Sequence, residues 1–354
     1  MNRNDLSEIC ERLGWKYAEL TTAEGGAIMV LERGCRVIGV YPYAAAENAV
    51  WVRPELARLG SFADVATMTH NWNIGGDRTL VSPEVEYFYD PEKAVFLIPE
   101  ALDPGRYKAD IIMPGEIEAK QSVVIPAYRS HYDTAFEMTK RIRLAPDPLK
   151  RDGVDSQLHY TFVGYEVEAE IIRTVDENMK IASVKHPPIS LWNLMQVPAD
   201  GEAILPTYGT AEATPFFEDQ DQTGVLVHEN RITCQIDARC KRKISIRAGD
   251  TTGRIGYMRT AADRNCYLLI RNFHADPAKH YGDVPLHRQE EWGHCVQCYN
   301  DDGALGYFGE IEYHTPLMES SEQALADVSQ VWCYAGDEEQ IRKIADLLLL
   351  PPRK

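Results

Sequence analysis

Three short stretches of the chain carry residue types that could do chemistry. The first is Asn73-Ile74-Gly75-Gly76-Asp77-Arg78-Thr79-Leu80-Val81-Ser82-Pro83-Glu84, where two glycines permit a tight turn or a close backbone approach. An acid, a guanidinium and a second acid follow, and Trp72 and Tyr87 flank them. Aromatics converging with a few placed charges are what a small-molecule pocket needs. The plainer alternative is a glycine hairpin whose Asp77 and Arg78 pair at the surface. The second stretch is Phe308-Gly309-Glu310-Ile311-Glu312-Tyr313-His314-Thr315-Pro316. Period-two alternation puts Glu310, Glu312 and His314 on one face, where burial or a neighbouring carboxylate can lift a carboxyl pKa and make a general base. A solvated strand face is the alternative. The third runs from Lys185 to Gln196: on a strand, Ser190, Trp192, Leu194 and Gln196 share a face, and a Trp beside a Gln suits a sugar ring and its hydroxyls; a buried core Trp is the commoner alternative.

These residues need a frame, and the chain reads as mostly β. Strands are expected at Ala27 to Leu31 and Arg36 to Tyr41 around the Arg33-Gly34 turn, and at Val163 to Ile171, where apolar residues and Glu166, Glu168 and Glu170 alternate. Further strands are expected at 122–126, 136–144, 232–238, 243–248, 255–260, 267–273, 294–299 and 308–313. Pro114-Gly115, Asp152-Gly153, Asp200-Gly201 and Asp302-Gly303 supply turns between them. A helix over 4–13, capped by Asn4 or Asp5, opens the chain. Another over 337–350, capped by Asp337 with Gln340 at the capping-box position, closes it before Pro351-Pro352. Many short, evenly spaced strands predict an all-β antiparallel sandwich with short flanking helices, read as one domain over 1–354.

Composition narrows the partners. The net charge of −17 argues against nucleic acid, which needs clustered cations. No stretch is long and apolar enough for a bilayer span, and the N-terminus lacks the apolar core of a signal peptide, so a cytoplasmic protein away from membranes is expected. The eight cysteines are expected as free thiols. His274, His280, His287 and His294 lie near Cys295 and Cys298, but on a strand those two cysteines face opposite ways, so neither a metal nor a cofactor is expected. These histidines are placed at the pocket rim or on the surface instead. Arg271 and Gln297 are late-strand groups suited to hydroxyls, and His131 is a loop histidine able to act as an acid. Nucleotide-binding glycine loops and the Gly-x-Ser-x-Gly elbow are absent.

Taken in order, the double glycine with Arg and Pro-Glu, the Leu-Trp-x-Leu-x-Gln run and the late Glu-x-Glu resemble the galactose mutarotase-like superfamily, over roughly residues 26–334. The resemblance implies a β-supersandwich holding a sugar in a concave sheet face. Aldose epimerases of that superfamily place a catalytic Glu four residues before a proline, a spacing Glu312 and Pro316 share. Their middle-strand His falls at about the Trp192 to Gln196 run, where Gln196 or Trp192 stands and His186 lies several residues earlier. The His beside their double glycine is replaced here, since Ile74 precedes Gly75, and Arg78 is expected to supply a fixed positive charge. The expected site thus has Glu312, Arg78, His131 and His186 in catalysis. Asp77, Glu84, Trp72, Trp192, Gln196, Arg271, Gln297, Glu310 and His294 contact the sugar. The expected activity is epimerase- or mutarotase-like, or glycoside cleavage by a lyase or hydrolase; a non-catalytic carbohydrate-binding protein is the alternative.

Overall fold

Alternation of apolar and polar residues dominates the chain, and the computed structural model resolves it into two large antiparallel sheets. It describes residues 1–113, 115–151, 158–174, 186–285 and 287–350. The Asp152-Gly153 turn, Pro114 and Pro351-Pro352 lie outside the described residues. Among the described residues one sheet has nine strands and the other ten, and a two-stranded hairpin, Tyr89–Asp90 with Val95–Phe96, stands apart. Non-sequential neighbours run through both. In the nine-stranded sheet Asp77–Ser82 pairs with Ser190–Pro198, which pairs with Phe308–His314, then His294–Asn300 and Arg242–Arg247.

Most expected strands are present, several longer than their alternation indicated: the 136–144 segment belongs to Tyr132–Leu144 and the 122–126 segment to Glu116–Ala127. The Ala324–Gly336 strand, central to the ten-stranded sheet, was not expected, because Asp327, Ser329 and Gln330 interrupt its apolar run. The first helix spans Arg3–Arg12 and is capped by Asn2, with Asp5 completing the capping box rather than serving as the cap. The last spans Glu338–Leu349, and Asp337 makes no side-chain cap hydrogen bond. Its apolar stripe, Ile341, Ile344, Ala345 and Leu349, is buried on the ten-stranded sheet among Leu268, Ile270 and Trp332. Among the described residues, no helix is long and apolar enough to cross a membrane.

The main core lies between the sheets and encloses a buried ion pair. Arg271 forms an ion pair with Asp77, and Tyr165 donates to the same carboxylate at 2.8 Å. At the double glycine, Gly75 (φ +105°) and Gly76 (φ +83°) pass so close to the neighbouring chain that a Cβ would sit 2.3 Å from the Trp51 carbonyl oxygen or 2.6 Å from that of Val37. Positive φ and missing Cβ together bring the Asp77–Ser82 strand into the sheet beside Arg36–Tyr41.

Candidate functional site

Strand pairing decides which side chains meet. Leu194 lies opposite Arg78 on one side and Glu312 on the other, and Gln196 lies opposite Glu310. Gln297 lies opposite Glu312, and Lys243 opposite Tyr299. Directly paired residues of antiparallel strands share a face, so Arg78, Ser82, Trp192, Gln196, Glu310, Glu312, His314, Gln297 and Lys243 all belong to one face of the nine-stranded sheet. Residues one step along each strand, including Asp77, Asn193 and Tyr313, turn into the space between the sheets.

Glu312 is at the centre and is 0% exposed. Its Oε2 accepts from the Trp192 indole Nε1 at 2.7 Å and lies 3.2 Å from Lys243 Nζ, whereas its Oε1 is buried with no hydrogen-bond partner among the described residues. Lys243 also donates to Glu84 at 2.6 Å. Its ammonium lies 4.6 Å from the Phe216 ring centre and 5.2 Å from that of Trp192, within cation–π range. His314 stacks on Trp192 at 5.7 Å. Its Nδ1 lies 2.9 Å from Ser82 Oγ, and its Nε2 is 3.6 Å from Asp283. Gln297 donates to Asp283 at 2.8 Å and Gln196 donates to Glu310 at 2.8 Å, and among the described residues neither amide oxygen has a hydrogen-bond partner.

A second charge group borders the first. Arg78 donates to Asp103 at 2.7 Å, lies 3.9 Å from Glu310, and holds its guanidinium 5.4 Å from the Trp72 ring. Arg36 donates to both oxygens of Asp103 at 2.6 Å, so one carboxylate serves two buried guanidiniums. Burial alone would lift the Asp103 pKa, but Arg36 and Arg78 outweigh it and hold it below the usual value.

Burial raises the Glu312 pKa to about 8, against the pull of Lys243 and with reinforcement from Glu310 and Glu84. Burial raises Glu310 and Glu84 as well, although Arg78 and Lys243 respectively oppose it. A carboxyl that holds its proton near neutrality can act as acid or, once ionised, as base. His314 is driven well below the ordinary histidine value by burial and then by Lys243, so it stands as neutral imidazole.

The expected residues divide by place. Glu312, Arg78, Glu84, Trp192, Gln196, Gln297 and Glu310 come together, with Trp72 beside Arg78. Asp77 and Arg271 do not: period-two alternation sends Asp77 to the face opposite Arg78, where it pairs with Arg271 between the sheets. His131 is exposed in the turn between the Glu116–Ala127 and Tyr132–Leu144 strands. His186 sits near Arg173, its pKa lowered by burial and then by that guanidinium, away from the strand centres that carry Glu312. His294 is buried at the bulged start of its strand, 3.0 Å from both Ser245 and Glu291. Trp192 is 5% exposed, with His314 stacked on it and Phe88 5.8 Å away, so it serves as a hydrogen-bond donor to Glu312 rather than as an open sugar platform.

Lys243, Asp103, Arg36 and Asp283 were missed. Lys243 opens a strand that the sequence marks, but only the sheet order brings that strand near Glu312. Asp103 and Asp283 lie in connecting segments with no periodic signal at all.

No curated protein matches the chain in sequence. Solved structures match it in fold. One is a putative aldose 1-epimerase from Escherichia coli K12, with a TM-score of 0.53 at 9% identity, covering 91% of this chain and 99% of that one. A second, a putative aldose 1-epimerase from Klebsiella pneumoniae, has a TM-score of 0.54 at 10% identity and covers 95% of this chain and 83% of that one. The fold is therefore the galactose mutarotase-like β-sandwich. The model of the Family of unknown function (DUF6786) matches residues 59–350, and the chain belongs to that family.

Proposed function

We propose that the protein is a carbohydrate-active enzyme in which Glu312 moves a proton at a sugar carbon or oxygen. The supporting observation is the pairing of a held oxygen and a free one on a single buried carboxyl. Trp192 and Lys243 orient Oε2, and Oε1 is left to meet a substrate hydroxyl. Gln196 and Gln297 offer further free acceptor oxygens on the same face, a set suited to a polyol that brings its own donors. Arg78, with Trp72 beside it, borders the sugar and faces developing negative charge. The reaction is epimerase- or mutarotase-like, or glycoside cleavage by a lyase or hydrolase, on a mono- or oligosaccharide, in the cytoplasm and without nucleic acid or membrane. Likeness to aldose 1-epimerase structures supports the substrate class, and the neutral His314 argues against an imidazolium acid.

A non-catalytic sugar-binding role is favoured by one observation: Arg78 is already held by Asp103. The two separate in an assay of anomer exchange by NMR across common monosaccharides, run beside a screen of oligosaccharides for new reducing ends or unsaturated products. Turnover of at least one sugar is expected. A sugar that raises the melting temperature without reacting would identify a binder. Neither effect with any sugar would remove both roles.

A further inference from the structure

Lys243 does more in this arrangement than neutralise a carboxylate. It rises from the Arg242–Arg247 strand, separated from the Phe308–His314 strand by His294–Asn300, and so reaches diagonally across the face to Glu312 at 3.2 Å. Its other partner, Glu84 at 2.6 Å, comes from the short helix that follows the Asp77–Ser82 strand. The Phe216 and Trp192 rings flank the ammonium, and the whole side chain is buried. A lysine in solvent would wander on its flexible stem; this one is fixed in an aromatic slot with two carboxylates at its tip. Arg78 cannot replace it, because Asp103 holds that guanidinium on the far side of Glu310.

We propose that Lys243 is the positioning residue that sets how readily Glu312 gives up its proton, with Glu84 as the opposing lever on the same ammonium. The proposal rests on Glu312 being the proton-transfer group. The charged and titratable groups facing the pair are Glu84, Glu310, Asp283, His314 and Cys298, with Lys241 near Glu84, and the two levers act in opposite senses. A cation near a carboxyl favours its ionised form, so losing Lys243 makes Glu312 harder to ionise. An anion disfavours it, so losing the Glu84 charge makes Glu312 easier to ionise and leaves the ammonium to Glu312 alone. A role confined to packing would move both variants alike.

The test reads Glu312 directly and needs no substrate. The Trp192 indole donates to Glu312, so its ¹H–¹⁵N cross-peak, assigned by its loss in Trp192→Phe, follows the carboxyl during a pH titration of the full chain. In the parent protein the midpoint is expected at about 8. Lys243→Met is expected to raise it by about 1–3 pH units, Glu84→Gln to lower it, and Lys243→Arg to leave it near the parent value. If Lys243→Met fails to fold, Glu84→Gln decides alone: a lowered midpoint supports the proposal and an unmoved one overturns it. Equal midpoints in Lys243→Met and parent, or a shift of both variants in one direction, also overturn it. Opposite shifts in a protein that turns over no sugar would sink the enzyme reading and leave this assignment standing.

Discussion

Replacing Glu312 by Gln is expected to lower turnover of the reacting sugar by a factor of about 10²–10⁴, the usual contribution of a positioned acid or base. The amide keeps the shape of the carboxyl, and its oxygen still accepts from the Trp192 indole, so the fold survives. What disappears is the proton that the buried carboxyl holds up to about pH 8. Stability should change in a way that confirms the cause. A carboxyl whose folded pKa lies above its unfolded one contributes stability below the ordinary carboxylate range, and that contribution is lost as pH rises through the folded value. The parent protein should therefore lose stability between about pH 4.5 and 8 more steeply than Glu312→Gln does. Parallel melting curves taken across that range, together with the turnover ratio, check both effects. Unchanged turnover in a folded Glu312→Gln protein would remove Glu312 from the chemistry.

Asp103→Ala is expected to cost about 3–5 kcal/mol, because it leaves Arg36 and Arg78 buried with their shared counter-charge gone. Each guanidinium is almost wholly excluded from water, and Arg36 also donates to the Gly75 carbonyl at 3.0 Å and the Trp72 carbonyl at 2.7 Å. The damage should therefore reach the double glycine and the start of the Asp77–Ser82 strand. Because the folded pKa of Asp103 is depressed, the stability it supplies is present above the usual carboxylate range and fades as acid takes the pH down through the folded value. Urea unfolding at neutral pH measures the loss. A cost below about 1 kcal/mol, the range of exposed ion pairs, would show that the cluster contributes no more than surface pairing does.

Much of the fold was legible because alternation along a strand is local. Glu310, Glu312 and His314 fall on one face by period two alone, and the Ser190, Trp192, Gln196 face follows from the same rule. That rule also separates Asp77 from Arg78, which neighbouring positions on a strand cannot both bring to one site. Expecting both there weighed their charges above their geometry. Other features were beyond local reading. Lys243 meets Glu312 only because the sheet places Arg242–Arg247, His294–Asn300 and Phe308–His314 side by side, an order no short stretch encodes. Asp103 and Asp283 sit in connections where nothing repeats, and their partners are remote in sequence. Trp192 read as a sugar platform because exposure is not written in a residue's type; His314 and Phe88, 122 and 104 positions away by subtraction of residue numbers, are what cover it.

The most direct measurement is a crystal structure of Glu312→Gln soaked with whichever saccharide the parent protein converts, since the inactive variant holds its substrate unreacted. The account predicts a sugar oxygen within hydrogen-bond distance of the residue 312 side chain, with the ring lying between that side chain and Arg78. A saccharide seated elsewhere on the molecule, touching neither residue 312 nor Arg78, would contradict it.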